Sequence, residues 1–193
     1  EKQKGLIGEL FFIDNFLFPR FNKKISVENW FGPTGSKDFE FSKFHIEIKS
    51  KRSGSKPTIS ISSADQLEII EGTKLFVAVF GIDKSDSKES FSVHDWCNKI
   101  SDKIFNSNEP SVLGEFLQKL DDYGYSEDQD YSDEKWDIKE IIYYEVNDEF
   151  PKLVPTEIST AITNVNYSIY MNQLNSFKIA KEELEEFLDD AKS

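Results

Sequence analysis

Apolar residues at the start of the chain recur at helical spacing. Leu6, Leu10 and Ile13 lie on one side of the pattern, which ends at Pro19. This spacing predicts an amphipathic helix over residues 2–18. A second type of pattern, strict alternation of apolar and polar residues, then begins and predicts strands.

The clearest alternation covers residues 44–51. Phe44, Ile46 and Ile48 share one face of the predicted strand, and the polar residues between them share the other. His45, on the polar face, is expected to be a surface residue. The almost continuous apolar run over 75–80 predicts a central strand that is buried on both faces.

The remaining patterns are shorter and complete the predicted element order. Further strands are expected over residues 26–31, 38–41, 58–61, 136–146 and 164–174. Further helices are expected over residues 64–71, 92–105, 111–123 and 178–191. This order predicts an α/β or α+β fold with a mixed central sheet flanked by helices, in one domain that spans residues 1–193.

Composition excludes several classes of protein. The 193 residues contain one Cys and two His, which rules out a disulfide framework and makes a cysteine-ligated or histidine-rich metal site improbable. A single Cys also suits a reducing compartment, so a cytoplasmic location is expected. The apolar runs are shorter than the roughly 18 residues that span a bilayer, so no membrane association is expected. Because the first residue is Glu1 and not Met, we expect the sequence to be the C-terminal part of a longer protein.

The net charge of −13 argues against a nucleic-acid binder, but the charge is unevenly distributed. Residues 1–60 carry eleven Lys and Arg against seven acidic residues, a net charge of +4. Residues 121–150 carry twelve acidic residues against two lysines, a net charge of −10. A basic section on an acidic protein can still contact a polyanion.

The residues that point to chemistry are Asp38 and the sequence Glu47-Ile48-Lys49. If the two strands pair, Asp38 lies beside Glu47 at one edge of the sheet, and Lys49 shares the face of Glu47. Two carboxylates and the carbonyl of Ile48 are oxygen ligands of the kind that Mg²⁺ prefers. Glu40 shares a face with Asp38 and is a rival ligand. The alternative, non-functional interpretation is a solvated strand face on which Glu47 and Lys49 form an ordinary ion pair.

This pattern resembles the PD-(D/E)XK nuclease superfamily, which has an acid on one strand, Glu-X-Lys on the next and a Glu on the preceding helix. Asp38, Glu47-Ile48-Lys49 and Glu9 match these positions. The flanking sequences are similar to a family of bacterial PD-(D/E)XK motif proteins found near phage-defence and restriction genes, and the likeness runs from about residue 4 to about residue 177. The sequences that carry this likeness are Gly5-Leu6-Ile7-Gly8-Glu9-Leu10, Trp30-Phe31-Gly32-Pro33, Ile61-Ser62-Ser63, Gln66-Leu67, Phe150-Pro151 and Val165-Asn166-Tyr167-Ser168. One departure is Lys37, which stands where the superfamily often has Pro.

The resemblance implies a restriction-endonuclease-like core and a Mg²⁺-dependent DNA endonuclease, with Mn²⁺ as a substitute, in a bacterial defence or restriction system. It implies that Asp38, Glu47 and Ile48 hold the metal and that Lys49 acts on the water and the transition state. Glu9 would be an outer or second-metal carboxylate. Gln66 would support the site near the metal or the scissile phosphate.

Two kinds of partner are expected, the DNA substrate and further protein. Lys51, Arg52 and Lys56 follow Lys49 closely and are expected to contact the DNA phosphates. The modest positive charge of this section implies that tight binding needs a missing N-terminal region or other subunits of a complex. The alternative function is a catalytically inactive nuclease fold that serves as an assembly or interaction subunit through its acidic surface.

Overall fold

The computed structural model describes residues 2–131 and 134–192. Two sheets form the framework, a five-stranded mixed sheet in the order β1-β2-β4-β5-β7 and a two-stranded antiparallel sheet of β3 and β6. The strands are β1 (Phe39–Glu40), β2 (Phe44–Lys51), β3 (Thr58–Ile61), β4 (Lys74–Lys84), β5 (Trp136–Val146), β6 (Tyr167–Tyr170) and β7 (Lys178–Ile179). The α-helices are α1 (Lys2–Phe12), α2 (Lys23–Glu28), α3 (Val93–Phe105), α4 (Pro110–Tyr123) and α5 (Lys181–Ala191). The predicted mixed α/β fold is confirmed, and it is consistent with a restriction-endonuclease-like core.

Strand β4 is the centre of the large sheet. It pairs in parallel with β2 along the whole length of β2, and antiparallel with β5 on its other side. Its alternating side chains enter two separate cores, as expected for a strand that is buried on both faces. The prediction of a central strand over residues 75–80 is therefore confirmed.

The two faces of the large sheet are covered differently. Phe76, Ala78 and Phe80 face a core that contains residues of α1, α3, α4 and α5. Val77 and Val79 face a second core, which the small sheet and its neighbouring turns close. Helices thus flank one face, and the other lies under β3 and β6.

Helix α1 crosses directly over β2, and glycine makes this close approach possible. A Cβ atom at Gly8 would lie 2.9 Å from Ile48 Cγ2 and 3.0 Å from Ser50 Oγ. The hydroxyl of Ser50 also donates a hydrogen bond to the carbonyl of Lys4 at 2.9 Å. These contacts fix α1 against β2, and Glu9 follows immediately in the sequence.

Three local predictions were wrong. Residues 26–31 were expected to be a strand, but the segment begins inside α2. The side chain of Asn22 caps that helix by accepting a hydrogen bond from the Ile25 N–H at 2.8 Å. Val27 and Trp30 are buried three residues apart, which is the spacing of a helical turn.

The other two errors concern length. The helix expected over residues 64–71 is a single 3₁₀ turn, Ala64–Leu67. The strand expected over residues 164–174 is reduced to β6, which two further 3₁₀ turns follow. None of the helices that the structure describes is long and apolar enough to cross a membrane.

The close approach of α1 and β2 can be tested with two glycines in α-helices. Gly8→Ala should destabilise the protein by about 1–3 kcal/mol, because the new methyl group overlaps buried Ile48. Gly114→Ala is the matched control, since no atom lies within 4 Å of its added Cβ. It should stabilise the protein by up to about 1 kcal/mol through helix propensity alone. Urea unfolding measures both, and equal gains in stability for the two variants would show that α1 does not press on β2.

Candidate active site

The candidate site lies where β2 loses its neighbour β1. Strand β1 pairs with β2 at only two positions, Phe39 with Ile46 and Glu40 with His45. Beyond them Asp38 turns its carboxylate onto the free edge of β2, and its Oδ2 accepts a hydrogen bond from the Ile48 N–H at 2.6 Å. Because the N–H and C=O of one strand residue point to the same side, the carbonyl of Ile48 also faces this edge.

Glu47 and Lys49 lie on the same face of β2 and contact each other. Lys49 Nζ is 2.7 Å from Glu47 Oε1, and the Glu47 side chain is 2% exposed. The second carboxylate oxygen, Oε2, is buried and has no hydrogen-bond partner among residues 2–131 and 134–192. A buried acceptor without a partner is costly, which indicates that a further group belongs at this position.

Gln66 reaches the same pair from the turn Ala64–Leu67. Its Oε1 accepts hydrogen bonds from Lys49 Nζ at 2.8 Å and from the Ser62 N–H at 3.0 Å. The second bond ties the amide to the backbone that follows β3. Gln66 and Glu47 therefore both hold the Lys49 ammonium group in place.

Glu9 enters from α1 and is held at both oxygens. Its Oε2 accepts a hydrogen bond from Trp30 Nε1 at 2.6 Å, and its Oε1 accepts one from the hydroxyl of Tyr123. Gly32 lies against the same carboxylate with a φ of 51°, and a Cβ atom there would be 3.3 Å from Oε2. Three separate parts of the chain thus close around one buried carboxyl group.

The three carboxyl groups influence one another electrostatically. Burial raises the pKa of Glu9 to about 7, against the opposing effect of its hydrogen bonds from Tyr123 and Trp30. Burial also raises the pKa of Asp38 well above its usual range, and the charges of Glu47 and Glu9 raise it further. The pKa of Glu47 is raised by burial, although Lys49 and Lys37 oppose the shift. The cluster therefore contains more carboxyl groups than its own lysines could compensate if all of them were ionised.

The residues present fit a hard divalent cation. The oxygen atoms available are the partnerless Oε2 of Glu47, the carboxylate of Asp38 and the carbonyl of Ile48, and oxygen is the ligand type that Mg²⁺ requires. Within residues 2–131 and 134–192, no group of three or more His, Cys, Asp or Glu side chains is arranged to hold a metal. A metal here would thus have two carboxylates, one main-chain carbonyl and waters around it.

Lys37 and His45 are additional buried residues that the sequence patterns did not assign to the site. Lys37 is 2% exposed, its Nζ donates to the carbonyl of Asp65 at 2.9 Å, and burial lowers its pKa. His45 was expected on the surface, but it is 7% exposed, and its Nδ1 is buried with no hydrogen-bond partner in the described part of the chain. Burial lowers its pKa, and the charge of Lys37 lowers it further. The alternation of β2 assigns His45 to a face, but it contains no information on what covers that face. For Lys37, the sequence offered one signal of a role near the site: it stands where the superfamily often has Pro.

The remaining candidate residues from the sequence differ in their surroundings. Lys51 and Arg52 line a groove of about 480 Å³ that also contains Lys49. Lys56 is exposed and is not part of that lining. Glu40, the rival ligand, accepts hydrogen bonds from Ser36 Oγ at 2.9 Å and from the Lys37 N–H at 3.3 Å, so the preceding turn holds it.

Comparison with known proteins gives one match. A family model described as "Putative PD-(D/E)XK family member, (DUF4420)" matches residues 1–172. No curated protein and no solved structure matches the chain.

The buried carboxyl groups predict a characteristic pH dependence in metal-free protein. A pKa of about 7 for Glu9, above the ordinary value of 4.5, means that folding favours its protonated form. This contribution to stability is present at low pH and is lost as the pH rises through about 7. In EDTA, the melting temperature should therefore fall between about pH 5 and pH 8.

Glu9→Gln should make that fall smaller, because a neutral amide does not titrate and the Tyr123 hydroxyl can accept from it. Glu145→Gln, on the exposed part of β5, is the matched control and should leave the pH profile unchanged. Thermal melts of the three proteins across this pH range measure the difference. Parallel profiles for wild type and Glu9→Gln would contradict the raised pKa of Glu9.

Proposed function

The chain belongs to this PD-(D/E)XK family, and on that premise we propose that it is a metal-dependent phosphodiesterase that cuts DNA. The observation that carries the proposal is that buried Glu47 and half-buried Asp38 lie near Lys49, with one Glu47 oxygen left without a partner among the described residues. Structural ion pairs rarely leave such an oxygen buried. A site that receives a cation and a phosphate, in contrast, uses a free carboxylate oxygen for the cation and a nearby lysine for the phosphate.

Asp38, Glu47 and the carbonyl of Ile48 would hold Mg²⁺, with Mn²⁺ as a substitute. The metal, when bound, supplies Lewis-acid polarisation of a phosphoryl oxygen and lowers the pKa of a bound water. The hydrogen bond from the Ile48 N–H holds the Asp38 carboxylate in place before the metal arrives. This preorganisation reduces the cost of fixing a ligand on a cation that dehydrates reluctantly.

Lys49 would orient the attacking water and stabilise the negative charge that develops on the phosphoryl oxygens. Its position is set from two sides, by Glu47 Oε1 at 2.7 Å and by Gln66 Oε1 at 2.8 Å. Lys37 would act indirectly, because its bond to the Asp65 carbonyl anchors the turn that carries Gln66. Lys37 is thus a positioning residue.

Glu9 would influence the site through its charge. Both of its oxygens already accept hydrogen bonds, from Trp30 and Tyr123, so it is better suited to the outer surroundings of the metal than to direct coordination. Its carboxyl group, with a pKa of about 7, raises the pKa of Asp38 when it ionises. The protonation state of Glu9 would thereby adjust the affinity of Asp38 for a cation.

The biological setting proposed here is a bacterial defence or restriction system in the cytoplasm. The resemblance of the flanking sequences to proteins found near phage-defence and restriction genes supports it. The net charge of −13 favours a protein that works with partners, since its own basic section can neutralise only a few phosphates. Other subunits would supply further DNA contacts.

A non-catalytic assembly module is the second candidate. The net charge of −10 over residues 121–150 favours it. A cavity of about 490 Å³ in that region is lined by Glu127, Asp128 and Asp130, which would suit a basic protein partner. Against it stands the complete set of Asp38, just before β1, and Glu47 and Lys49 on β2, because a site without chemistry has no physical reason to keep a carboxylate buried as Glu47 is.

The catalytic proposal predicts separate effects for the two β2 residues. Glu47→Ala should abolish cleavage because it removes a metal ligand, and calorimetric titration with Mg²⁺ or Mn²⁺ should show that binding is lost. Lys49→Ala should keep metal binding but reduce the cleavage rate by about a hundredfold or more. The assay is nicking of DNA at low salt with Mg²⁺, with native partners present, and EDTA should stop it.

Glu145→Ala is the matched control, because it removes an acid that also pairs with a lysine but lies on the exposed part of the sheet. It should cut at the wild-type rate. If the complete system restricts DNA equally well with Glu47 and Lys49 both replaced by Ala, the phosphodiesterase proposal fails and the assembly module replaces it.

A further inference from the structure

The groove beside Lys49 is unusual in this acidic protein. Its charged lining residues, within the part of the chain that the structure describes, are all basic: Lys4, Lys49, Lys51 and Arg52. Serine and threonine hydroxyl groups complete the polar lining, among them Thr58 on β3. A concave surface with cations and hydroxyl donors suits phosphate groups.

The groove continues into a second cavity of about 700 Å³. Lys4 and Arg52 line both, and the second cavity adds Lys2 and Lys84. Glu134 also lines this cavity, where it forms an ion pair with Lys84. The basic lining therefore extends from the candidate catalytic lysine, past Arg52, to the start of α1 and the end of β4.

One aromatic side chain lines the second cavity, and another lies beside a lining residue of the first groove. Trp136 lines the second one. Tyr170 is 65% exposed on β6, where it pairs with Thr58 of the first groove, so their side chains lie on the same face of the small sheet. An exposed tyrosine of this size is poorly placed for a core role, but its ring can stack on a nucleobase. Basic grooves with aromatic platforms are typical of proteins that bind single-stranded nucleic acid.

We propose that the two cavities form one continuous track for a single DNA strand, with a phosphate on Arg52, an exposed residue that lines both cavities, and a base stacked on Tyr170. This inference rests on the proposed function and specifies its substrate as single-stranded or locally unpaired DNA. The cations lie inside two adjoining cavities, whereas a duplex needs an extended basic face. A second strand would also meet the outer surface of a chain whose net charge is −13. A single strand can follow the cavities without that repulsion.

The test is binding, measured in EDTA so that cleavage plays no part. Fluorescence anisotropy at low salt would compare labelled oligothymidines of about four and about twelve nucleotides, lengths that span the usual range of such sites. The double variant Lys2→Ala with Lys84→Ala should bind the longer oligonucleotide about tenfold more weakly. It should leave the shorter one, which occupies the groove near Lys49, almost unaffected.

Two further measurements sharpen the result. The salt dependence of binding to the longer oligonucleotide should become less steep by about 1.4 in log–log slope, because two phosphate contacts are lost. Tyr170→Ala should weaken both oligonucleotides by about fivefold or more through lost stacking. Lys88→Ala with Lys178→Ala is the matched control, since these exposed lysines line neither cavity and their loss changes the net charge equally.

The track is wrong if the cavity variant behaves like the control, if it weakens both lengths equally, or if a duplex of the same length binds more tightly than the single strand. The outcome is separable from the phosphodiesterase proposal, because Glu47→Ala should lose cleavage and keep the length-dependent binding. Length-dependent binding by a protein that cuts nothing would support the track and reject the enzyme. Cleavage by a protein whose cavity variant matches the control would reject the track alone.

Discussion

The free edge of β2 is the feature on which the rest of the site depends. Strand β1 is only two residues long, so the main chain of Ile48 has no strand partner on that side. The carboxylate of Asp38 takes the place of the missing partner by accepting the Ile48 N–H. A longer β1 would satisfy the same groups with an ordinary ladder and would leave no opening for a cation.

Keeping carboxylates at this edge has an energetic cost that the surrounding fold must offset. Charged groups in a low-dielectric interior are disfavoured, and the raised pKa values of Glu9, Asp38 and Glu47 express this cost. Trp30 and Tyr123 offset part of it at Glu9, and Lys49 offsets part of it at Glu47. In the proposed metal site, the remainder would favour a bound cation, because its charge would relieve the repulsion.

The sequence predicted the parts of the site that depend on local periodicity. Glu47 and Lys49 share a face because strand side chains alternate, and this needs no knowledge of the tertiary structure. The hydrogen bonds of Trp30 and Tyr123 to Glu9 join residues 21 and 114 positions apart, so no local pattern contains them. His45 was misplaced for a related reason, since the periodicity of β2 is independent of the second core above it.

Local charge is a better guide than net charge to what this protein can bind. At physiological salt the field of an exposed charge decays over about 8 Å, so exposed acidic residues that lie farther than this from the groove beside Lys49 are largely screened from a ligand held in it. Inside a cavity the low-dielectric walls concentrate the field of the cations that line it. In the proposed track, Lys51 and Arg52 would therefore attract a phosphate backbone on a chain that is acidic overall. The acidic outer surface would then select against wide ligands, because it would repel any polyanion that does not fit within the groove.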